Sequence, residues 1–215
     1  MTSHKSHNTI VSNIERLRRA FPLQARIESA DAATCDAYAI VLTAWLQDGV
    51  APQPDIIPKR SLESLASMDA VIITESGLGC YPFSADDTGI TVAYGVHRVH
   101  AMCAIDALAI PFLVRSAATI RSRCRECGML LTMGTDNVGI VTGADPAGIQ
   151  VEYRKLAEQH SECCNDLCPG IAFLCASCAA GDGENRMTLE EAAAVGRLFF
   201  YFQIPCMNRT WSESK

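Results

Sequence analysis

The sequence predicts an α+β protein in two parts: a helical, winged-helix-like N-terminal unit over residues 1–75, then a mixed α/β domain with short antiparallel strands over residues 76–215. Three observations lead there. Apolar residues recur at helical spacing through the first part of the chain. From Ser76 onward, Gly77, Gly79, Pro82 and Gly89 break the chain into short pieces. The chain then closes on a capped helical segment.

Ile10, Val11, Ile14, Leu17 and Phe21 form one helical stripe, which Pro22 ends. A second helix is expected over 31–46, with Ala37, Ile40, Val41, Ala44 and Trp45 among its apolar positions. Gly49, Pro52, Pro54 and Pro58 make 48–59 a loop. Ser61 is placed to cap a short helix running to Ser67, with Glu63 in its first turn. A strand is expected at 70–73. Helices followed by a strand suggest the winged-helix order, but no basic recognition helix stands out for DNA. Further strands are expected at 90–92 and 96–99 about Tyr94-Gly95, and at 129–133, 139–142 and 171–174. Residues 101–114 are an apolar stretch interrupted by Pro111, and residues 153–160 are expected to be helical. Thr188-Leu189-Glu190-Glu191 fits a capping box, with a helix following over 192–202.

Composition excludes several function classes. A chain of 215 residues that is 49% hydrophobic and 20% charged is built to pack a core. A net charge of -6 argues against nucleic acid as the main partner. The first 20 residues lack the apolar run of a secretory signal. Residues 101–114 are too few to span a bilayer and carry Asp106. A cytoplasmic protein with no membrane partner is expected. Eleven cysteines, an odd number, then point away from a disulfide framework and toward metal binding or thiol chemistry. Cys35 and Cys206, alone in apolar surroundings, are expected to be buried, inert thiols.

Four cysteine groups carry chemistry. In Cys103-Ala104-Ile105-Asp106, a thiol and a carboxyl three residues apart share a face if the backbone is helical. Burial in so apolar a stretch raises the carboxyl's pKa and makes it a proton donor beside a thiol. The plainer alternative is a helix-capping Asp106 with Cys103 as core filler. Cys124-Arg125-Glu126-Cys127-Gly128 resembles one knuckle of a zinc site, and Cys175-Ala176-Ser177-Cys178 offers a second pair that would complete four thiolates. A redox role for either pair is the alternative. Cys163, Cys164 and Cys168 put three thiols in six residues ahead of an apolar strand. They suit a soft metal, a share in the zinc site, or a metal relay.

The stretch Tyr81-Pro82-Phe83-Ser84, then Thr88, then Ala101-Met102-Cys103-Ala104-Ile105-Asp106-Ala107-Leu108 resembles the alkylmercury (organomercurial) lyase family, MerB. The resemblance covers roughly 81–202. It implies that Cys103 and Asp106 are the family's first catalytic cysteine and its aspartate. The family's second catalytic cysteine precedes a buried strand, and Cys168-Pro169-Gly170-Ile171-Ala172-Phe173-Leu174 fits that pattern best, ahead of Cys163 or Cys164. Two departures stand out. Pro169-Gly170 replaces a His-containing stretch that often follows the second cysteine, and the two C-x-x-C pairs with Cys163-Cys164 are extra. They point to a divergent subfamily with another organometal substrate, or to an added structural zinc.

The activity so implied is protonolysis of a carbon–mercury bond. Cys103 and Cys168 would hold the metal, Asp106 would protonate the carbon, and no cofactor is required. Met102, Ile105, Leu108 and Phe173 are expected to form an apolar pocket for the organic group. Implied partners are an organomercurial substrate, small-molecule thiols and a mercuric reductase that receives Hg(II). Two rivals come from other classes: a non-enzymatic zinc or soft-metal binding or regulatory protein, and a thiol-disulfide enzyme.

Overall fold

Helix α1 (Thr2–Ala20) buries Ile14 and Leu17 on one face and hands over to buried Phe21, so the apolar stripe becomes a packing surface and Pro22 ends it as expected. In the computed structural model, residues 2–154, 163–180 and 185–206 are described. Two more helices follow, α2 (Leu23–Glu28) and α3 (Ala32–Asp48). Asp31 caps α3 by accepting the Thr34 N–H at 2.7 Å, and Gly49 at φ +63° ends it in the left-handed conformation. Helix α4 (Lys59–Ser67) starts two residues before the expected Ser61 cap. Pro58 supplies the start, and Ser61 is instead buried within the helix.

The hairpin of β1 (Val71–Thr74) and β2 (Gly77–Cys80) comes next, so four helices and a hairpin give the winged-helix-like order. The division proposed between residues 75 and 76 falls in the turn of this hairpin. Trp45 of α3 stacks on Phe83 at 5.2 Å and donates its indole N–H to the Leu78 carbonyl at 2.8 Å, which ties the helices to the strands.

Short strands β3 (Phe83–Ser84), β4 (Thr91–Tyr94), β5 (His97–Ala101), β6 (Ala118–Arg123), β7 (Leu130–Thr135) and β8 (Val141–Asp145) join β1 and β2 in one antiparallel sheet. Its order is β1-β2-β3-β5-β4-β6-β7-β8. A second antiparallel sheet places β9 (Gln150–Tyr153) between β10 (Ile171–Leu174) and β11 (Arg186–Thr188). Tyr153, expected to begin a helix, instead ends β9, paired with Ile171. Residues 155–160 of that expected helix lie outside the described residues.

Helix α5 (Ala104–Val114) runs through the core and is buried on nearly every side. Pro111 lies inside its last turn and does not interrupt it. Packing of a helix that is apolar except for Asp106 against strands and a neighbouring helix outweighs one missing backbone donor there. The last helix, α6 (Leu189–Phe200), packs on both α5 and α1. Its capping box forms as read: Thr188 Oγ1 accepts the Glu191 N–H at 3.2 Å, and Glu191 Oε2 accepts the Thr188 N–H at 3.0 Å. No helix among the described residues is long and apolar enough to cross a membrane. Cys35 and Cys206 are half-buried rather than buried, with thiols donating to the Ile27 and Phe202 carbonyls.

Gly196 of α6 packs directly against α5. A Cβ there would stand 2.9 Å from the Ile105 carbonyl oxygen and 3.2 Å from Ala109 Cβ. Alanine gains up to about 1 kcal/mol in helix propensity. It must also push α6 off a backbone oxygen that has no rotamer to yield, at ~1–3 kcal/mol. Gly196→Ala is therefore expected to lower stability by about 1–2 kcal/mol, read as a lower urea midpoint at unchanged m. A midpoint at or above that of the wild type would show that the two helices have room.

Candidate functional site

The start of α5 builds the site. Cys103 occupies the N-cap position in an extended conformation, φ −152°, and Asp106 lies in the first helical turn. That turn brings thiol and carboxyl to one side, as the i, i+3 spacing expects. The third group comes from far along the chain. Cys168 opens a 3₁₀ turn, Cys168–Gly170, just before β10, and its Sγ lies 3.9 Å from Asp106 Oδ2. The sulfurs of Cys103 and Cys168 and a carboxylate oxygen of Asp106 all lie within 4.8 Å of one another, and all three residues are buried. Cys163 stands beside them, with its Sγ 3.7 Å from that of Cys168. Cys164 is half-buried and belongs to neither sulfur cluster.

The segment carrying Cys163 is anchored by a residue that sequence reasoning missed. Asp69 Oδ2 accepts the Cys163 N–H at 2.7 Å, and its Oδ1 accepts the Tyr81 hydroxyl at 3.4 Å. Asp69 has φ +55°, a left-handed conformation uncommon for a residue with a Cβ. A contact across 94 residues leaves no trace in local sequence pattern.

The groups lie in a narrow cleft whose free volume is ≈ 10 Å³, room for about one water molecule. Of the four residues expected to form the apolar pocket, only Ile105 lines it. Leu108 and Phe173 are fully buried elsewhere, and Met102 lies over Gly79. The apolar wall comes instead from Leu17, Phe21, Phe199 and Ile171, because α1 and α6 close over the start of α5. A larger groove of ≈ 370 Å³ between β8 and the start of α6 is lined by no cysteine.

Burial sets the protonation states. It lifts Asp106 from 3.8 to about 7, against hydrogen bonds from the Cys103 thiol and amide that pull it down. Burial likewise pushes the Cys103 thiol up to about 12. Hydrogen bonding to the Cys103 and Cys163 thiols, together with burial, holds Cys168 well above the usual thiol range. The resting cleft therefore holds Cys103 and Cys168 as neutral thiols beside a carboxyl that titrates near neutrality. Such a carboxyl can both accept and return a proton at pH 7.

The other expected cluster also meets in space. Sulfurs of Cys124, Cys127, Cys175 and Cys178 lie within 4.8 Å of one another, around the β6–β7 turn and the chain just after β10. This group shares no residue with the cleft.

The family model for alkylmercury lyase, MerB, matches residues 83–200 of this chain. Comparison with curated protein sequences finds no match. Among solved structures, the chain is similar to the mercury-bound form of MerB2, with a TM-score of 0.63 and 20% sequence identity. That likeness covers 84% of this chain and 98% of the other.

Proposed function

From the premise that this chain belongs to the alkylmercury lyase family, we propose that it cleaves carbon–mercury bonds by protonolysis, giving a hydrocarbon and Hg(II). The observation that carries the reading is the buried meeting of two thiols and a carboxyl near its titration point.

In this reading the substrate arrives as R–Hg–SR′, carried by a small-molecule thiol. Sulfur of Cys103 or Cys168 bonds to mercury and displaces R′S⁻, which leaves with the cysteine's proton as R′SH. A soft metal favours thiolate over the oxygen and nitrogen ligands around it. The second cysteine then binds mercury and passes its proton to Asp106, which lies beside both sulfurs. Two sulfurs now donate electron density to the metal, and the carbon becomes more basic. Asp106 delivers the proton to carbon, the carbon–mercury pair becomes the new C–H bond, and RH departs. One organomercurial thiolate and two protein thiols thus give RH, R′SH and Hg(II) on two thiolates, with no redox change. Cytosolic thiols or a mercuric reductase would then take the metal. The cleft's small free volume means that the wall of Leu17, Phe21 and Phe199 must part to admit an aryl or alkyl group.

Anaerobic incubation of the reduced protein with phenylmercury and excess thiol tests this directly. Catalytic release of benzene, dependent on Cys103, is the expected result. Tight binding with no benzene would reject protonolysis of this substrate and move the chemistry to another metal–carbon bond.

A further inference from the structure

Four cysteines take no part in the chemistry proposed above, yet their sulfurs meet. Two C-x-x-C turns face each other. In the first, Cys124 follows β6, and Gly128 at φ +73° lets the chain fold back sharply, with the Gly128 N–H on the Cys124 carbonyl at 2.8 Å. In the second, Cys175 follows β10, and the N–H groups of Cys178 and Ala179 meet its carbonyl at 3.1 and 2.9 Å. The turns are joined by the backbone: the Arg125 N–H donates to the Phe173 carbonyl at 3.1 Å, and the Cys175 N–H points at Cys124 Sγ at 3.4 Å.

The spacing of the sulfurs selects a ligand. With zinc–sulfur bonds of ~2.3 Å, the corners of a tetrahedron stand ~3.8 Å apart. Cys127 Sγ and Cys175 Sγ stand 3.7 Å apart, and all four sulfurs fall within 4.8 Å. A disulfide would use only two of the four, and all are free. The surroundings suit the excess negative charge of a four-thiolate centre. Arg123 and Arg186 reach the two turns and donate to the Gly128 and Ala179 carbonyls at 3.0 and 2.9 Å.

We propose that Cys124, Cys127, Cys175 and Cys178 hold one structural zinc ion. Four thiols release four protons as Zn²⁺ binds, leaving a centre of net charge −2, with Arg123 held on the first turn and Arg186, which also pairs with Glu152 at 3.9 Å, on the second. The ion pins the end of β10 to the β6–β7 turn. β10 begins three residues after Cys168, so the centre steadies the strand that leads away from the cleft without entering it. Zinc is the fit because a closed set of four cysteines is its structural coordination, with no open position for substrate.

The test uses the full chain, purified from zinc-supplemented cells without chelator. One zinc per chain is expected in the wild type and in the Cys103→Ser/Cys168→Ser variant, and less than a tenth of that in Cys124→Ser/Cys175→Ser. Because the latter variant can also fail to fold, cobalt(II) is exchanged into the wild-type protein. The visible bands of a tetrahedral tetrathiolate centre are expected, bleached by one equivalent of zinc. Reduced protein that yields added zinc to a micromolar-affinity chelator would overturn the proposal. So would zinc that is lost from Cys103→Ser/Cys168→Ser but kept by Cys124→Ser/Cys175→Ser. None of these readouts depends on hydrocarbon release, so they stand apart from the lyase reading.

Discussion

Serine at Cys103 or at Cys168 is expected to abolish benzene release from phenylmercury while leaving the fold in place. Serine keeps the size and loses the soft donor, and a hydroxyl does not hold mercury against the thiols of the assay. Because capture and electron donation need both sulfurs, either change removes the whole unit. A fall on the order of 10⁴-fold or more is expected, as when one member of a coupled catalytic set is lost. Each buried hydroxyl costs about 1–2 kcal/mol at most, since Asp106 lies within reach as a partner. Far-UV circular dichroism of both variants should therefore match that of the wild type. Cys163 provides the internal control. Its sulfur lies 3.7 Å from that of Cys168 but is not one of the two thiols that converge with Asp106. Cys163→Ser is expected to slow turnover far less. Full activity in Cys168→Ser, with loss in Cys163→Ser, would transfer the second thiol's role to Cys163.

Asp106→Asn is expected to bind the organomercurial and to cleave it 10²- to 10⁴-fold more slowly, the usual worth of a placed proton donor. The same variant should change stability in the opposite sense. Burial raises the carboxyl from 3.8 to about 7, so the folded state binds this proton more tightly than the unfolded chain does. Its stabilising contribution is complete below about pH 3.8 and is lost as pH rises through about 7. That interval is worth up to about 4 kcal/mol. Asparagine carries no such charge, so its variant should unfold at a higher urea concentration than the wild type at pH 8 and show no advantage at pH 4. Gain of stability with loss of cleavage would mark Asp106 as a group held in the core at a cost for its chemistry. A variant that is less stable at pH 8 would assign Asp106 to helix capping instead.

Much of the fold was legible because it is written locally. The stripe of α1 and the Thr188–Glu191 box each depend on neighbours within a turn or two, where 3.6-residue geometry acts directly. Strand β6 went unread although its six residues alternate between buried and exposed, as did β2, β3, β9 and β11, of only two to four residues each. Those last four are too short to show an alternating period, and their pairing partners decide whether they form at all. Pro111 misled for a related reason: its local penalty was outweighed by packing that the local sequence does not display.

The site divides along the same line. That Cys103 and Asp106 share a face follows from one helical turn, and each C-x-x-C pair follows from one tight turn, so sequence alone determined these small units. Only the tertiary structure decided what they meet. Cys168 reaches Asp106 across 62 residues, and Cys127 reaches Cys175 across 48. Leu17 and Phe199 close the cleft from opposite ends of the chain. Contacts of that range are set by how buried helices and sheets pack together, a property of the whole core that no window of the sequence contains.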